Sequence, residues 1–288
     1  MTVYFALAFA ISWGCVAIVL GPSGVLDTTV DEQQTQTLLP LAILALAIGP
    51  TVAGVLLTGL VDGKAGLREL GSRSLKWRVS GRWYAVALLT APLSVTASLL
   101  ALQLTSPEFR PGIFTTSDKA SVLMFGIITG LVVGILEELG WTGFAVPRMR
   151  LYYGVISTGL IVGLLWGLWH LPVNYWGISS SSGGLAVAVV LPVFLFSFLP
   201  PYRILMVWVY DRSGSVLLAI LMHASLIAFW TAFTPVGIAG GPLVAWYLAW
   251  AVLLWAVVTA VAVANSRHIS RQPLPKESVP SRLQITDQ

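Results

Sequence analysis

Glu137 and Glu138 stand side by side in Gly134-Ile135-Leu136-Glu137-Glu138-Leu139-Gly140, inside a run otherwise apolar enough to cross a membrane. One charged side chain at a bilayer centre costs about 2.5–3.5 kcal/mol on insertion scales, so two in succession call for compensation by the fold or the function. Two other long apolar runs carry a single histidine each, His170 and His223. If every run crosses the bilayer once, all these positions fall within about two helical turns of mid-depth. A carboxylate and two imidazoles in a wet cavity can activate water: the carboxylate takes its proton, one imidazole holds it, and the second stabilises the oxyanion formed at a carbonyl. The same three groups, Glu137, His170 and His223, could instead hold Zn²⁺ with an open fourth position. Neighbours on a helix point about 100° apart, so only one glutamate can face both histidines while the other turns to an adjacent helix. The plainer alternatives are histidines satisfied within the packing and a glutamate pair that hydrogen-bonds helices together.

The elements that must position these groups follow from composition. The chain has 288 residues, 57% hydrophobic and 10% charged, with a mean hydropathy of +0.85. Soluble domains carry about 25% charged residues, so an integral membrane protein is expected. At roughly 20 apolar residues per crossing, eight spans are expected, at 2–20, 38–60, 83–104, 120–146, 155–176, 185–210, 215–234 and 243–264. The expected fold is all-α, a polytopic bundle of eight transmembrane helices forming one domain over residues 1–265. Residues 266–288 read as a disordered cytoplasmic tail. The first span lacks a basic leader and a clear cleavage site, so it reads as a retained helix. Pro172, Pro192 and the Pro200-Pro201 pair mark expected kinks.

Basic residues set the expected orientation. Lys64, Arg68, Arg73, Lys76, Arg78 and Arg82 follow the second span, Arg148 and Arg150 the fourth, Arg212 the sixth, and Arg267, Arg271, Lys276 and Arg282 lie in the tail. The opposite loops hold Arg110 and Lys119, which puts both termini in the cytoplasm. The formal charge of +4 thus reflects topology and anionic lipid, and nucleic acid is excluded as a partner. Cys15 is the one cysteine, so no intrachain disulfide exists. Trp13, Trp77, Trp83 and Trp246 fit interfacial belts, whereas Trp141, Trp166 and Trp169 lie near the polar centre and wall it. Asn174 sits one turn beyond His170. His268 reads as interfacial, Ser179 to Gly184 as a flexible outer loop, and Asp211 to Gly214 as a tight cytoplasmic turn.

Glu137 to Arg148, with the sequence Glu-Glu-Leu-Gly-Trp-Thr-Gly-Phe-Ala-Val-Pro-Arg, resembles the first motif of the CAAX-protease and bacteriocin-processing family of intramembrane proteases. Trp166-Gly167-Leu168-Trp169-His170-Leu171-Pro172 resembles the second, an aromatic residue four before a histidine. Ser215 to Leu221 followed by Met222-His223-Ala224-Ser225 resembles the third. The likeness covers about residues 120–228 in the family's order and spacing. It implies a multi-pass endopeptidase of the cell membrane, of the bacterial type, acting on a peptide or membrane-protein substrate. Carried onto this chain, Glu137 with His170 would activate water, His223 would stabilise the oxyanion, and Glu138 would support them. The family has been described both as metalloproteases and as metal-independent glutamate proteases, so no cofactor is assigned and Zn²⁺ stays open.

Two positions depart from the pattern. Thr142 stands where the family commonly has Arg, and Ile227 where it commonly has Asn. Loss of the Arg removes a counter-charge from a desolvated carboxylate pair. Arg203, inside the sixth span and in the same leaflet, is expected to replace it by pairing with Glu137 or Glu138; the alternative is snorkelling to the headgroups. Ser225 or Asn174 would have to supply the donor that Ile227 lacks. The departures also motivate an inactive relative acting as a membrane binding or immunity protein. A proton-coupled transporter is a third reading, though the inverted repeats it favours are not evident.

Overall fold

Helices account for every long element of the protein, described here from a computed structural model at residues 1–21, 32–178 and 187–265. In chain order they are α1 (Thr2–Leu20), α2 (Glu32–Ser74), α3 (Gly81–Gln103), α4 (Lys119–Gly140), α5 (Val146–Met149), α6 (Val155–Trp169), α7 (Leu171–Ile178), α8 (Val187–Phe196), α9 (Leu199–Ser213), α10 (Val216–Phe233) and α11 (Gly240–Ala264). Among the described residues no strand occurs. The expected tail 266–288, with His268, and the expected loop Ser179–Gly184 lie outside the described residues.

Among the described residues seven helical segments are long and apolar enough to cross a membrane: Thr2–Leu20, Thr37–Ser74, Gly81–Gln103, Lys119–Met149, Val187–Ser213, Val216–Phe233 and Gly240–Ala264. The protein is therefore an all-α, multi-pass membrane protein. The stretch expected as the fifth of eight spans, 155–176, is instead the 15-residue α6 followed by the short α7. Proline explains the break. Pro172 has no N–H to donate and its ring collides with the carbonyl four residues back, so α6 ends at Trp169 with His170 as its cap. Likewise the sixth span is two helices, α8 and α9, the second opening on Pro200 and Pro201 where missing donors cost nothing.

Two stripes of glycine bring the key helices together. On α4, Gly126, Gly130 and Gly134 recur every fourth residue against the α10 backbone; a Cβ on Gly130 would lie 2.5 Å from Ala224 O and 2.9 Å from its Cα. On α6, Gly159, Gly163 and Gly167 face α9 and α8, and a Cβ on Gly163 would lie 2.7 Å from Pro200 Cα and 3.2 Å from Arg203 Cβ. Small residues at this spacing let helix backbones approach closely in lipid, where packing and polar contacts replace the hydrophobic drive.

Several sequence expectations change here. The basic segment after the second span is not a loop at first, because helix continues to Ser74 beyond a kink at Gly63, whose φ is 63°. Trp246 is not interfacial: it is fully buried and donates from Nε1 to Ser98 Oγ at 3.2 Å. Trp83 is buried as well, whereas Trp77 is exposed. Asp211 and Arg212 belong to the last turn of α9, and the turn itself is made by Gly214 at φ 62°.

Candidate active site

Glu138 follows Gly134 by four residues and so continues the glycine stripe of α4 toward α10. That register explains its partner: His223 Nδ1 lies 2.8 Å from Glu138 Oε1. From α9, Arg203 Nη1 donates to both oxygens of the same carboxylate, at 3.0 and 2.8 Å. Thr142 Oγ1 donates to Oε2. Thr142 stands four residues on and so shares the face of Glu138, at the start of a π turn over Trp141–Ala145, a local geometry common at functional sites. Glu138, Arg203 and Thr142 are all buried to within 1% of full enclosure. Arg203 thus pairs with Glu138 instead of snorkelling. Its guanidinium carbon also lies 4.1 Å over the Trp166 ring, a cation–π seat.

Glu137, about 100° around α4 from Glu138, turns elsewhere. Its Oε2 accepts from Trp166 Nε1 at 2.8 Å. It lines a cavity of about 730 Å³ together with Trp166, His170, Asn174 and His223. The remaining wall is mostly aliphatic and aromatic, from α2, α4, α8, α10 and α11. Glu138 does not line it. The two glutamates therefore face different surroundings: one opens on the cavity, the other is enclosed in an ion pair.

The Pro172 break shapes His170. As the cap of α6, His170 reaches Trp166 O with its backbone N–H at 3.3 Å, and its ring Nδ1 lies 2.7 Å from the same oxygen. A carbonyl only accepts, so this nitrogen carries the proton and Nε2 keeps its lone pair. Asn174 Nδ2 donates to His170 O at 3.0 Å, securing the same cap. Trp166 meets both histidines edge-to-face, at centroid distances of 5.3 and 5.2 Å.

Other expected residues are placed differently. Ser225 donates to Leu88 O at 2.8 Å on the α3 side, so it supplies no donor to the cavity. Its two-residue offset from His223 on a helix turns it away. Trp141 is fully buried against Tyr4 and Trp169 and supports the site from behind. Sequence reasoning missed Tyr202, whose hydroxyl donates to Met222 O at 2.8 Å and ties α9 to the turn that carries His223. A buried tyrosine normally finds such a partner, and Tyr202 neighbours Arg203.

The metal set read from sequence changes too. Among the described residues the close group, with ligand atoms within 4.8 Å of one another, is Glu137, Glu138 and His223, without His170. His170 is held at the α6 cap. Both oxygens of Glu138 already accept from Arg203, Thr142 and His223, and a divalent cation there would sit against a guanidinium. Within that group Glu138 is thus committed to protein donors, which leaves Glu137 and His223 as its free-facing members.

Residues 119–229 match the family model Rce1-like, type II CAAX prenyl endopeptidase. The CAAX prenyl protease 2 of Methanococcus maripaludis is 26% identical over 140 residues, 48% of this chain and 49% of that protein. The chain thus spans about half the length of the curated relative it matches. The matched region contains the carboxylate pair, both histidines and Arg203.

Proposed function

We propose that this chain, which through residues 119–229 belongs to the CAAX-protease family, is an intramembrane endopeptidase working through Glu137, His170 and His223. The observation that carries this reading is the separation of the two glutamates, one braced by Trp166 on a cavity shared with both histidines, the other enclosed with Arg203. Glu137 takes a proton from a water whose other hydrogen is held by His170 Nε2. The resulting oxygen attacks the carbonyl of a peptide bond. His223, anchored at Nδ1, donates from a protonated Nε2 to the oxyanion, and Glu138 balances the imidazolium. Glu137 then passes its proton to the departing amine, which leaves a carboxylic acid and a free amine as products. The apolar wall of the cavity suits a substrate segment delivered from lipid, a peptide or a membrane protein.

A second reading draws on Ile227, which lines the same cavity without a hydrogen-bonding group. It makes the chain a membrane binding or immunity protein that uses the cavity without cleaving.

The deciding experiment incubates the full protein in lipid with a library of membrane peptides and reads products by mass spectrometry, alongside Glu137→Ala. Products that form with the wild type and vanish with the variant support the protease and its base. Products that persist with the variant overturn the assigned base. Peptides retained uncut by both folded proteins favour the binding reading.

A further inference from the structure

We infer that Arg203 is a positioning residue for His223, acting from α9 through Glu138 to keep a proton on the Nδ1 atom of that ring. The argument runs along one line of contacts: Arg203 Nη1 to both Glu138 oxygens, and Glu138 Oε1 to His223 Nδ1 at 2.8 Å. An ionised carboxylate is acceptor-only, so a ring nitrogen at that distance carries the hydrogen. A carboxyl buried without a cation takes up a proton instead. It then donates to Nδ1, and His223 cannot be the imidazolium that an ionised Glu138 balances. The cation on the far side of Glu138 therefore decides whether Nδ1 of His223 carries a proton, 1% exposed though that residue is.

Three features place the guanidinium for this task. Gly163 lets the α9 backbone close on α6, leaving Arg203 Cβ 3.2 Å from where a side chain would begin. Trp166 supplies the ring face 4.1 Å beneath it. Among the described residues no other Lys or Arg reaches the carboxylate pair. Thr142, whose hydroxyl touches the same Glu138 oxygen, marks a second place from which a cation could act.

The consequence for catalysis rests on the endopeptidase reading, but the test does not. The full chain in lipid nanodiscs, carrying ring-¹⁵N histidine, is read by NMR for the protonation of each ring nitrogen. Only His170, His223 and His268 contribute, and His223 is assigned by its loss in His223→Gln. The expected result is a protonated Nδ1 in the wild type, its loss in Arg203→Met, and its return in Arg203→Met/Thr142→Arg. An unprotonated Nδ1 in the wild type overturns the proposal, as does a protonated Nδ1 in folded Arg203→Met. Should Arg203→Met not fold, the double variant decides: folding with Nδ1 protonated upholds the proposal, and failure on either count overturns it. An inactive wild type with the expected spectra rejects the protease and leaves Arg203 in this role.

Discussion

Trp166 Nε1 donates to Glu137 Oε2 at 2.8 Å, and the carbonyl of the same residue receives His170 Nδ1 at 2.7 Å. One residue thus orients both the carboxylate and an imidazole that face the cavity. Its ring also seats Arg203, the partner of the second glutamate. The site is organised around an indole, and these three contacts use different parts of the residue.

Trp166→Phe separates these contacts. The ring face and backbone carbonyl remain, and only the donor to Glu137 is lost. A hydrogen bond to a charged group contributes about 1.5–3 kcal/mol, which corresponds to a fall of roughly 10- to 100-fold in cleavage rate. Measured on a peptide found in the library screen, kcat should fall while KM changes little. Equal rates for the two proteins would show that the bond to Glu137 does not orient the reacting carboxylate.

Gly130→Leu tests the approach of α4 and α10. Even a Cβ at this position meets the Ala224 carbonyl oxygen at 2.5 Å, a backbone atom that cannot swing aside. Overpacking costs about 1–3 kcal/mol, and the helices must part just above the Glu138–His223 contact. The melting temperature in detergent should drop, and cleavage should drop further than Gly71→Leu, where nothing lies within 4 Å of the added atom. Two variants of equal stability and activity would remove the glycine stripe from the account.

The residues that gather at the cavity and the buried ion pair were legible in sequence because charge stands out against an apolar background. Glu137, Glu138, His170, His223 and Arg203 each break a hydrophobic run, and a lone cation inside an apolar span was enough to anticipate the Arg203–Glu138 pair. Side-chain direction was less legible. Trp246 lies near a span end, where lipid-facing and buried tryptophans read alike, and its inward turn depends on Ser98 of another helix. Ser225 carries a hydroxyl near His223, but the partner that claims it, Leu88 O, lies 137 residues away. His170 stands outside the close carboxylate–imidazole group because it is held at a helix cap beside the Pro172 break, a consequence of local geometry that spacing alone does not give. The glycine stripes at 126, 130, 134 and 159, 163, 167 were written in the chain with a spacing that signals helix contact, and they place the site as much as the charged residues do.

Chelation should leave activity unchanged. The close carboxylate–imidazole group includes Glu138, whose oxygens already accept from Arg203, Thr142 and His223. Cleavage after exhaustive treatment with a membrane-permeant chelator should equal the untreated rate within assay error. Loss of activity that returns on adding Zn²⁺ would require Glu138 to exchange its guanidinium for a metal, and would overturn the water-activation scheme above.

The pairing of Arg203 with Glu138 makes a thermodynamic prediction separate from catalysis. Both side chains are fully enclosed, so removing one leaves the other without its counter-charge, to stay charged where it is desolvated or to be neutralised, at a cost of about 3–5 kcal/mol. Removing both leaves neither charge stranded. Arg203→Met and Glu138→Gln should each lower stability steeply in detergent unfolding. The double variant should lose much less than the two losses added together, because the penalty in each single variant comes from the same abandoned partner. Glu137→Gln combined with Arg203→Met should show no such relief, since Glu137 is held by Trp166 and faces the cavity. Additive losses for the Glu138 pair would mean that the guanidinium is stabilised chiefly by the Trp166 ring, and that Glu138 is held in place by Thr142 and His223 alone.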